Sequence, residues 1–263
     1  MTADTANGAS SFATYPSLAG RSVVVTGGAT GIGAELVAHF AHQGCRVTFL
    51  DLDTGAGEAL AASIEADTGT APLFLPCDVA DVEALRAALA QAADAFGPVQ
   101  VLVNNAANDE RHDVADVTVE YWDQKMAVNL RAYFFGAQAV VPAMTAAGTG
   151  SVINLGSMIW HAKLPRTTGY SAAKAGIEGL TRGLAKDLGK AGIRVNCIVP
   201  GWVMTERQLR DWVTPAAREE IARSQSLPGP LTPADVARLA LWLAADDSRM
   251  CTGQNWIVDG GWI

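Results

Sequence analysis

The chain predicts an α/β fold: one Rossmann-type, doubly wound domain of about seven parallel strands with helices on both faces. Three observations carry that expectation. Short apolar runs alternate with helix-patterned segments along nearly the whole length. A glycine-rich turn, Thr26-Gly27-Gly28-Ala29-Thr30-Gly31-Ile32-Gly33, joins the first apolar run to the first helix. Hydrophobic residues reach 49% against 17% charged, a balance that suits a sheet covered on both faces.

The elements follow in order. Runs at 23–26, 46–50, 72–75, 99–103, 151–155, 194–199 and 256–258 read as short buried strands. Helical patterns fill 31–43, 54–67, 81–95, 118–147, 168–189 and 233–245. Regular alternation implies right-handed crossovers between parallel neighbours. The interval 203–230 breaks the rhythm. Its helical pieces at 205–212 and 216–224 are flanked by Pro215, Pro228 and Pro230, so it reads as a lid rather than a core element. Residues 1–16 are small and polar and predict a flexible tail before a catalytic domain at 17–263. That tail lacks the basic start and apolar core of a signal peptide, and no apolar run approaches the ~20 residues of a membrane span. A cytoplasmic location is therefore expected. The net charge of −8 and the pI near 4.9 exclude nucleic acid and anionic membrane surfaces as partners. Cys45, Cys77, Cys197 and Cys251 are dispersed, with no paired spacing, and read as reduced thiols. The four histidines have no ligand spacing either, so no metal site is expected.

The chemistry is carried by Tyr170-Ser171-Ala172-Ala173-Lys174, with Ser157 thirteen residues upstream. Tyrosine and lysine at i and i+4 share one helix face. There the Lys174 ammonium can lower the pKa of the Tyr170 phenol and make it a base, while Ser157 holds the substrate oxygen. Gly27, Thr30, Gly31, Ile32 and Gly33 open the first helix, where glycine lets the backbone approach a pyrophosphate at the positive helix end. Asp51, followed by Leu52, closes the second strand eighteen residues beyond Gly33. A carboxylate there accepts both ribose hydroxyls of NAD and repels a 2′-phosphate, and the turn carries no lysine or arginine. NAD is the expected cofactor.

These motifs, in this order and with Asn104-Asn105-Ala106-Ala107, Asn129 and Pro200-Gly201 among them, resemble the short-chain dehydrogenase/reductase superfamily over residues 19–263. The resemblance implies further roles. Asp78 and Val79 would hold the adenine. Asn105, Ala106 and Ala107 would pack the sheet and contact the ribose, Ala107 standing where the family usually has glycine. Val203 and Thr205, after Pro200-Gly201, would hold the carboxamide. Lys174 would also bond the nicotinamide ribose, and the backbone carbonyl of Asn129 would support a water-linked proton path from it. The family carries its substrate loop where the lid is expected. The small residues of 118–147 and 168–189 and the apolar end at Trp262 and Ile263 imply a homotetramer.

The loop Asn108-Asp109-Glu110-Arg111-His112-Asp113 follows the fourth strand and is dense in hydrogen-bonding groups. With Ser157, Met158, Trp160, Tyr170 and Trp202, its Asn108, Asp109 and Arg111 form the candidate substrate set. Indole faces would stack on a sugar ring between polar anchors. The runs at 104–118, 157–161 and 15–20 are similar to bacterial NAD-dependent aldose 1-dehydrogenases, D-xylose-type members above all, with L-arabinose, D-galactose and fucose enzymes as relatives. That likeness implies oxidation of the anomeric hydroxyl of a free aldose to the aldonolactone. Two alternatives remain at this point: a ketoreductase or secondary-alcohol dehydrogenase, and a non-catalytic NAD-binding protein.

Overall fold

The computed structural model describes residues 12–263, so the tail expected at 1–16 falls mostly outside the described residues. The chain is in contact with the body from Phe12 on. Arg238 lies over the Phe12 ring at 3.7 Å, and the Tyr15 amide donates to Gln43 Oε1 at 2.7 Å.

Seven parallel strands form one sheet among the described residues: β1 (Ser22–Thr26), β2 (Arg46–Asp51), β3 (Leu73–Pro76), β4 (Val101–Asn104), β5 (Gly150–Leu155), β6 (Ile193–Pro200) and β7 (Asn255–Val258). Their spatial order is β3-β2-β1-β4-β5-β6-β7. Strand order reverses between β1 and β4, and the crevice beyond their carboxyl ends is where such a sheet takes ligands. The helices are α1 (Gly31–His42), α2 (Thr54–Thr68), α3 (Val82–Phe96), α4 (Val119–Met126), α5 (Ala132–Ala147), α6 (Thr168–Leu188), α7 (Glu206–Asp211), α8 (Pro215–Ser224) and α9 (Pro233–Ala244).

The unbroken apolar strands are explained by burial on two sides. In β1, Val23 and Val25 face a core shared with α1, α2 and α9, while Val24 faces one shared with α3, α5 and α6. A polar stitch crosses the sheet below the site. Asn104 Nδ2 donates to Asn154 Oδ1 at 2.9 Å, and Asn154 Nδ2 donates to Thr181 Oγ1 at 3.0 Å, joining β4, β5 and α6.

One element differs from the sequence reading. The single helix expected over 118–147 is divided: α4 passes through a π-helical turn, Ala127–Arg131, before α5 begins. Such turns accommodate one extra residue and re-aim side chains, and here the buried Asn129 sits within it. At the chain end Trp262 is partly buried. Its ring lies 6.5 Å from that of Trp202, and Asp259 caps the tail by accepting from the amides of Gly261, Trp262 and Ile263.

After β6 the chain leaves the sheet, forms α7 and α8, and returns where Leu231 pairs with Val203. The Met204 amide donates to Leu231 O at 2.8 Å, so the excursion is closed at its base. No described helix is long and apolar enough to cross a membrane.

Candidate active site

The turn between β1 and α1 is held by contacts that allow no side chain. A Cβ on Gly33 would lie 1.8 Å from Gly27 O, and one on Gly27 would lie 2.7 Å from Ala106 Cα. Asn105 completes the packing, its Nδ2 donating to Thr26 O at 3.0 Å and Gly27 O at 2.8 Å. Thr30 occupies the N-cap of α1, but its side chain makes no capping bond, unlike Asp53, Asp81, Thr118, Thr205 and Thr214 at other helix starts. The first amides of α1, Gly31, Ile32 and Gly33 among them, are thus not claimed by a cap, which suits a bound phosphate. Gly31 has φ +58°, and a Cβ there would lie 3.3 Å from Thr205 Cγ2, so the start of the lid stands beside the turn.

Asp51 ends β2, with Oδ2 accepting from the Ala29 amide at 2.9 Å and Oδ1 from the Asp53 amide at 3.1 Å. Leu52 next to it is exposed, Asp78 is exposed and Val79 is buried, lining the side of the crevice beyond β2 and β3. Ala106 is half-buried and Ala107 exposed. Pro200 ends β6 and Val203 is buried. Gly201 is there for close approach, since its Cβ would lie 2.7 Å from Asp259 Cα. Arg21 and Arg46 are engaged at the opposite end of the sheet, with Asp246 and with Gly20 O.

Ser157 lies just after β5, and Tyr170 is in the first turn of α6. Lys174 follows one turn on, with its Nζ 5.5 Å from the Tyr170 ring centre. The buried stripe of α6 includes both Lys174 and Glu178. Lys174 Nζ donates to Leu155 O at 2.6 Å and to the Tyr133 hydroxyl at 2.9 Å. Burial pushes its pKa down to about 7. The Tyr170 phenol is raised, not lowered: burial acts first and the charge of Asp109 second, while a hydrogen bond with Ser157 and the charge of Arg207 oppose them. The expected depression by Lys174 is therefore corrected. In this form of the protein the ammonium bonds a neutral phenol and a carbonyl on the β5 side, and the cost of a buried phenolate dominates.

Asn129 is buried within the π-helical turn. Its side chain locks the loop after β4, with Oδ1 accepting from the Asn108 amide at 2.9 Å and Nδ2 donating to Asn108 O at 3.1 Å. Beyond that anchor the loop alternates. Even-numbered residues attach to the body: Glu110 pairs with the buried Lys125 at 2.9 Å, and His112 Nδ1 meets the Tyr121 hydroxyl at 3.1 Å. Asp109 and Arg111 reach the 203–230 excursion, whereas Asp113 pairs with Arg166. Asp109 Oδ2 accepts from Gln208 Nε2 at 2.8 Å, and its Oδ1 lies 2.8 Å from the Arg207 guanidinium. Arg111 lies 4.1 Å over the Trp212 ring and 5.9 Å over that of Trp202. Trp202 Nε1 donates to Gln208 Oε1 at 3.0 Å.

The structure thus gathers Asp109, Arg111 and Trp202 and adds Arg207, Gln208 and Trp212. Sequence patterning gave no signal for these three beyond their place in the lid. Trp160 is not part of this group: its indole N–H donates to Glu178 Oε1, and its ring stacks on His161 at 3.7 Å. Met158 is buried in the core behind Ser157. Trp212 Nε1, a buried donor of the cluster, has no hydrogen-bond partner among the described residues. Asp109 Oδ1 is held by its ion pair with Arg207.

The family model described as Enoyl-(Acyl carrier protein) reductase matches residues 27–263. The chain is 49% identical over 252 residues to D-xylose 1-dehydrogenase of Caulobacter vibrioides, covering 96% of this chain and 99% of that protein. It is 46% identical over 247 residues to the "Probable galactose dehydrogenase GalD" of Rhizobium meliloti, covering 94% and 96%. A solved structure of blue fluorescent protein from a metagenomic library, in complex with NADPH, superposes with a TM-score of 0.84 at 34% identity, covering 94% of this chain and 99% of that one.

Proposed function

The chain belongs to the short-chain dehydrogenase/reductase family and is an oxidoreductase; from that premise we propose that it oxidises the anomeric hydroxyl of a free aldose to the lactone, with NAD as acceptor. The observation that carries the sugar reading is the polar clasp of Asp109, Arg207 and Gln208, together with the buried, unpartnered Trp212 Nε1. Leaving the indole N–H unsatisfied costs about 1–3 kcal/mol, and a ligand bearing several hydroxyls supplies an acceptor to it and further hydrogen bonds to the charged groups of the clasp. An apolar ketone, the occupant a ketoreductase would take, carries one carbonyl oxygen, which Ser157 and Tyr170 engage, and leaves the clasp without a further partner.

The residues present suit a nicotinamide dinucleotide. The glycine turn and the uncapped start of α1 would hold the pyrophosphate, Asp51 the adenosine ribose, Asp78 and Val79 the adenine, and Val203 and Thr205 the carboxamide. When bound, the cofactor supplies the acceptor for the hydride. Tyr170 takes the hydroxyl proton, Ser157 holds the same oxygen, and Lys174 stabilises the tyrosinate. Because burial and Asp109 raise the Tyr170 pKa, turnover in the oxidative direction should climb toward alkaline pH. NAD is favoured over NADP because Asp51 stands where a 2′-phosphate would go, and neither Arg21 nor Arg46 is placed to offset it. A homotetramer is the proposed assembly, supported by the exposed Phe134 on α5 and the exposed Ile257 and Ile263 near the chain end.

The test follows NADH absorbance with D-xylose, L-arabinose, D-galactose, D-glucose and both fucoses, with NAD and NADP in parallel. Saturable turnover on one or two sugars with NAD, lost in Tyr170→Phe, is expected. Activity confined to ketones or secondary alcohols would overturn the sugar reading.

A further inference from the structure

Tyr133 is the largest side chain with less than 2% exposure, and the reaction described above does not use it. It lies one turn past Asn129, at the start of α5, where the π-helical turn delivers it under the site. Asn104 Nδ2 donates to its backbone oxygen at 3.3 Å, which fixes this turn of α5 against β4. Gly136 permits the approach: a Cβ there would lie 3.1 Å from Asn104 Oδ1. The side chain then reaches across β5 to the lysine.

The hydrogen-bond directions around it are determined. Tyr133 Oη donates to Leu155 O at 3.3 Å, so its lone pair faces Lys174 Nζ, 2.9 Å away. Lys174 gives a second proton to the same Leu155 carbonyl at 2.6 Å. An ammonium has three donors, so one remains for the Tyr170 side of the site. Nζ lies 4.8 Å from the centre of the Tyr133 ring, off its hydroxyl end. Lysine, phenol and carbonyl form a closed triangle two residues ahead of Ser157.

We propose that Tyr133 is a positioning residue for hydride transfer, its phenol oxygen fixing the Lys174 ammonium behind Tyr170 and keeping it charged while the tyrosine acts as base. It touches neither substrate nor reacting atoms and acts through Lys174. The proposal rests on the Tyr–Lys mechanism and not on which alcohol is oxidised. The groups that face Lys174 and Tyr170 from the surrounding elements are Cys197 on β6, Asp109 in the loop after β4, Ser157 after β5 and Arg207 in the lid. Burial pushes the Cys197 thiol up to about 12, so it stays neutral across the working range. The sign follows from the acceptor's role. Removing it weakens the hold on the charged form, so Lys174 loses its proton at lower pH than before. The tyrosinate then has less cationic support, and Tyr170 ionises at higher pH.

Tyr133→Phe deletes the oxygen and keeps the ring. The expected result is a rising limb of kcat/KM displaced upward by about one pH unit, hence about a tenfold loss at neutral pH, with KM for the sugar unchanged. A second readout needs no substrate: the ultraviolet tyrosinate titration of Tyr170, taken as the difference between each protein and its Tyr170→Phe counterpart. It should move in the same direction, with and without NAD. Tyr133→Met, apolar and flexible enough to fill the space, is measured alongside in case the aromatic variant does not fold. Limb and titration overlaying those of the unsubstituted protein would overturn the proposal, whatever the melting temperature does. If no aldose turns over, the sugar reading falls, and the Tyr170 titration still decides the role of Tyr133.

Discussion

The two ends of the crevice are built by different means. At the cofactor end, backbone meets backbone: Gly33 against Gly27 O, Gly27 against Ala106, with Asn105 stitching the turn to β4. At the substrate end, side chain meets side chain across about a hundred residues, as Asp109 and Arg111 engage Gln208, Trp202 and Trp212. The first end has no freedom at the atoms that matter, so a single methyl group should break it. The second is a clasp whose members can be removed one at a time. Its substitutions should change affinity for the substrate in graded steps and leave the cofactor alone.

The largest effect expected from this contrast is that of Gly33→Ala. Its Cβ would sit 1.8 Å from Gly27 O, so the turn or α1 must move. Overpacking of this kind costs about 1–3 kcal/mol or more, and each kcal/mol lowers Tm by roughly 2–4 °C in a chain of this size. NADH binding, followed by fluorescence, should weaken by about a hundredfold. Gly183→Ala is the control, because nothing lies within 4 Å of its Cβ position in α6. It should be neutral or stabilise by ~0.5–1 kcal/mol. Intact NADH binding in Gly33→Ala would remove the distinction between the two ends.

The same contrast explains what could be read in the sequence. Close backbone approach leaves a residue signature, because only glycine fits at 27 and 33, and buried strands leave apolar runs of the right length. The sheet, the tight glycine turn after β1 and the nearness of Ser157, Tyr170 and Lys174 were therefore legible. Side-chain pairing over long separations leaves no local pattern. Asp109 and Arg111 could be picked out as polar residues after a strand, but nothing near Gln208 announces a bond to Asp109. Trp160 was misplaced for the same reason, since its indole partner, Glu178, lies on a different element. Tyr133 is a partial exception. Its i+4 relation to Asn129 puts both on one helix face, and that spacing was available. The resemblance also places Asn129 at a helix kink, and the π-helical turn Ala127–Arg131 is found there.

A middle-sized effect belongs to Asp109→Ala. This carboxylate bonds Gln208, approaches Arg207 and bears on the charges of Tyr170 and Lys174. Losing it should raise KM for the sugar about tenfold or more, the scale of one buried polar interaction, with Kd for NADH unchanged. The Tyr170 phenol should at the same time ionise more readily, because one cause of its raised pKa is gone. The rising limb of kcat/KM should thus move to lower pH, opposite to the shift expected from Tyr133→Phe. A KM that stays put while Kd for NADH rises would mean that the loop serves the cofactor.

The smallest and most discriminating effect is at Gln208. Its amide has a fixed orientation, the oxygen accepting from Trp202 Nε1 and the nitrogen donating to Asp109 Oδ2. Gln208→Ala removes both bonds but creates no clash, and the neighbouring Arg207 still neutralises Asp109. KM for the sugar should rise only about two- to fivefold, within the range of a net hydrogen bond or less. Gln208→Glu keeps an acceptor for the indole and sets a second carboxylate against Asp109 at the distance of a hydrogen bond. Like charges at such range repel, and part of the Arg207 interaction must be shared between them. The isosteric variant should therefore be the worse one, with a KM above that of the alanine variant at neutral pH. Acidification that protonates one carboxylate should close the gap. Sugar titrations of both variants at two pH values decide the matter. A glutamate variant at least as good as the alanine variant would mean that the Gln208 nitrogen does not face Asp109 in the working enzyme, and that the clasp is held by Arg207 and the tryptophans alone.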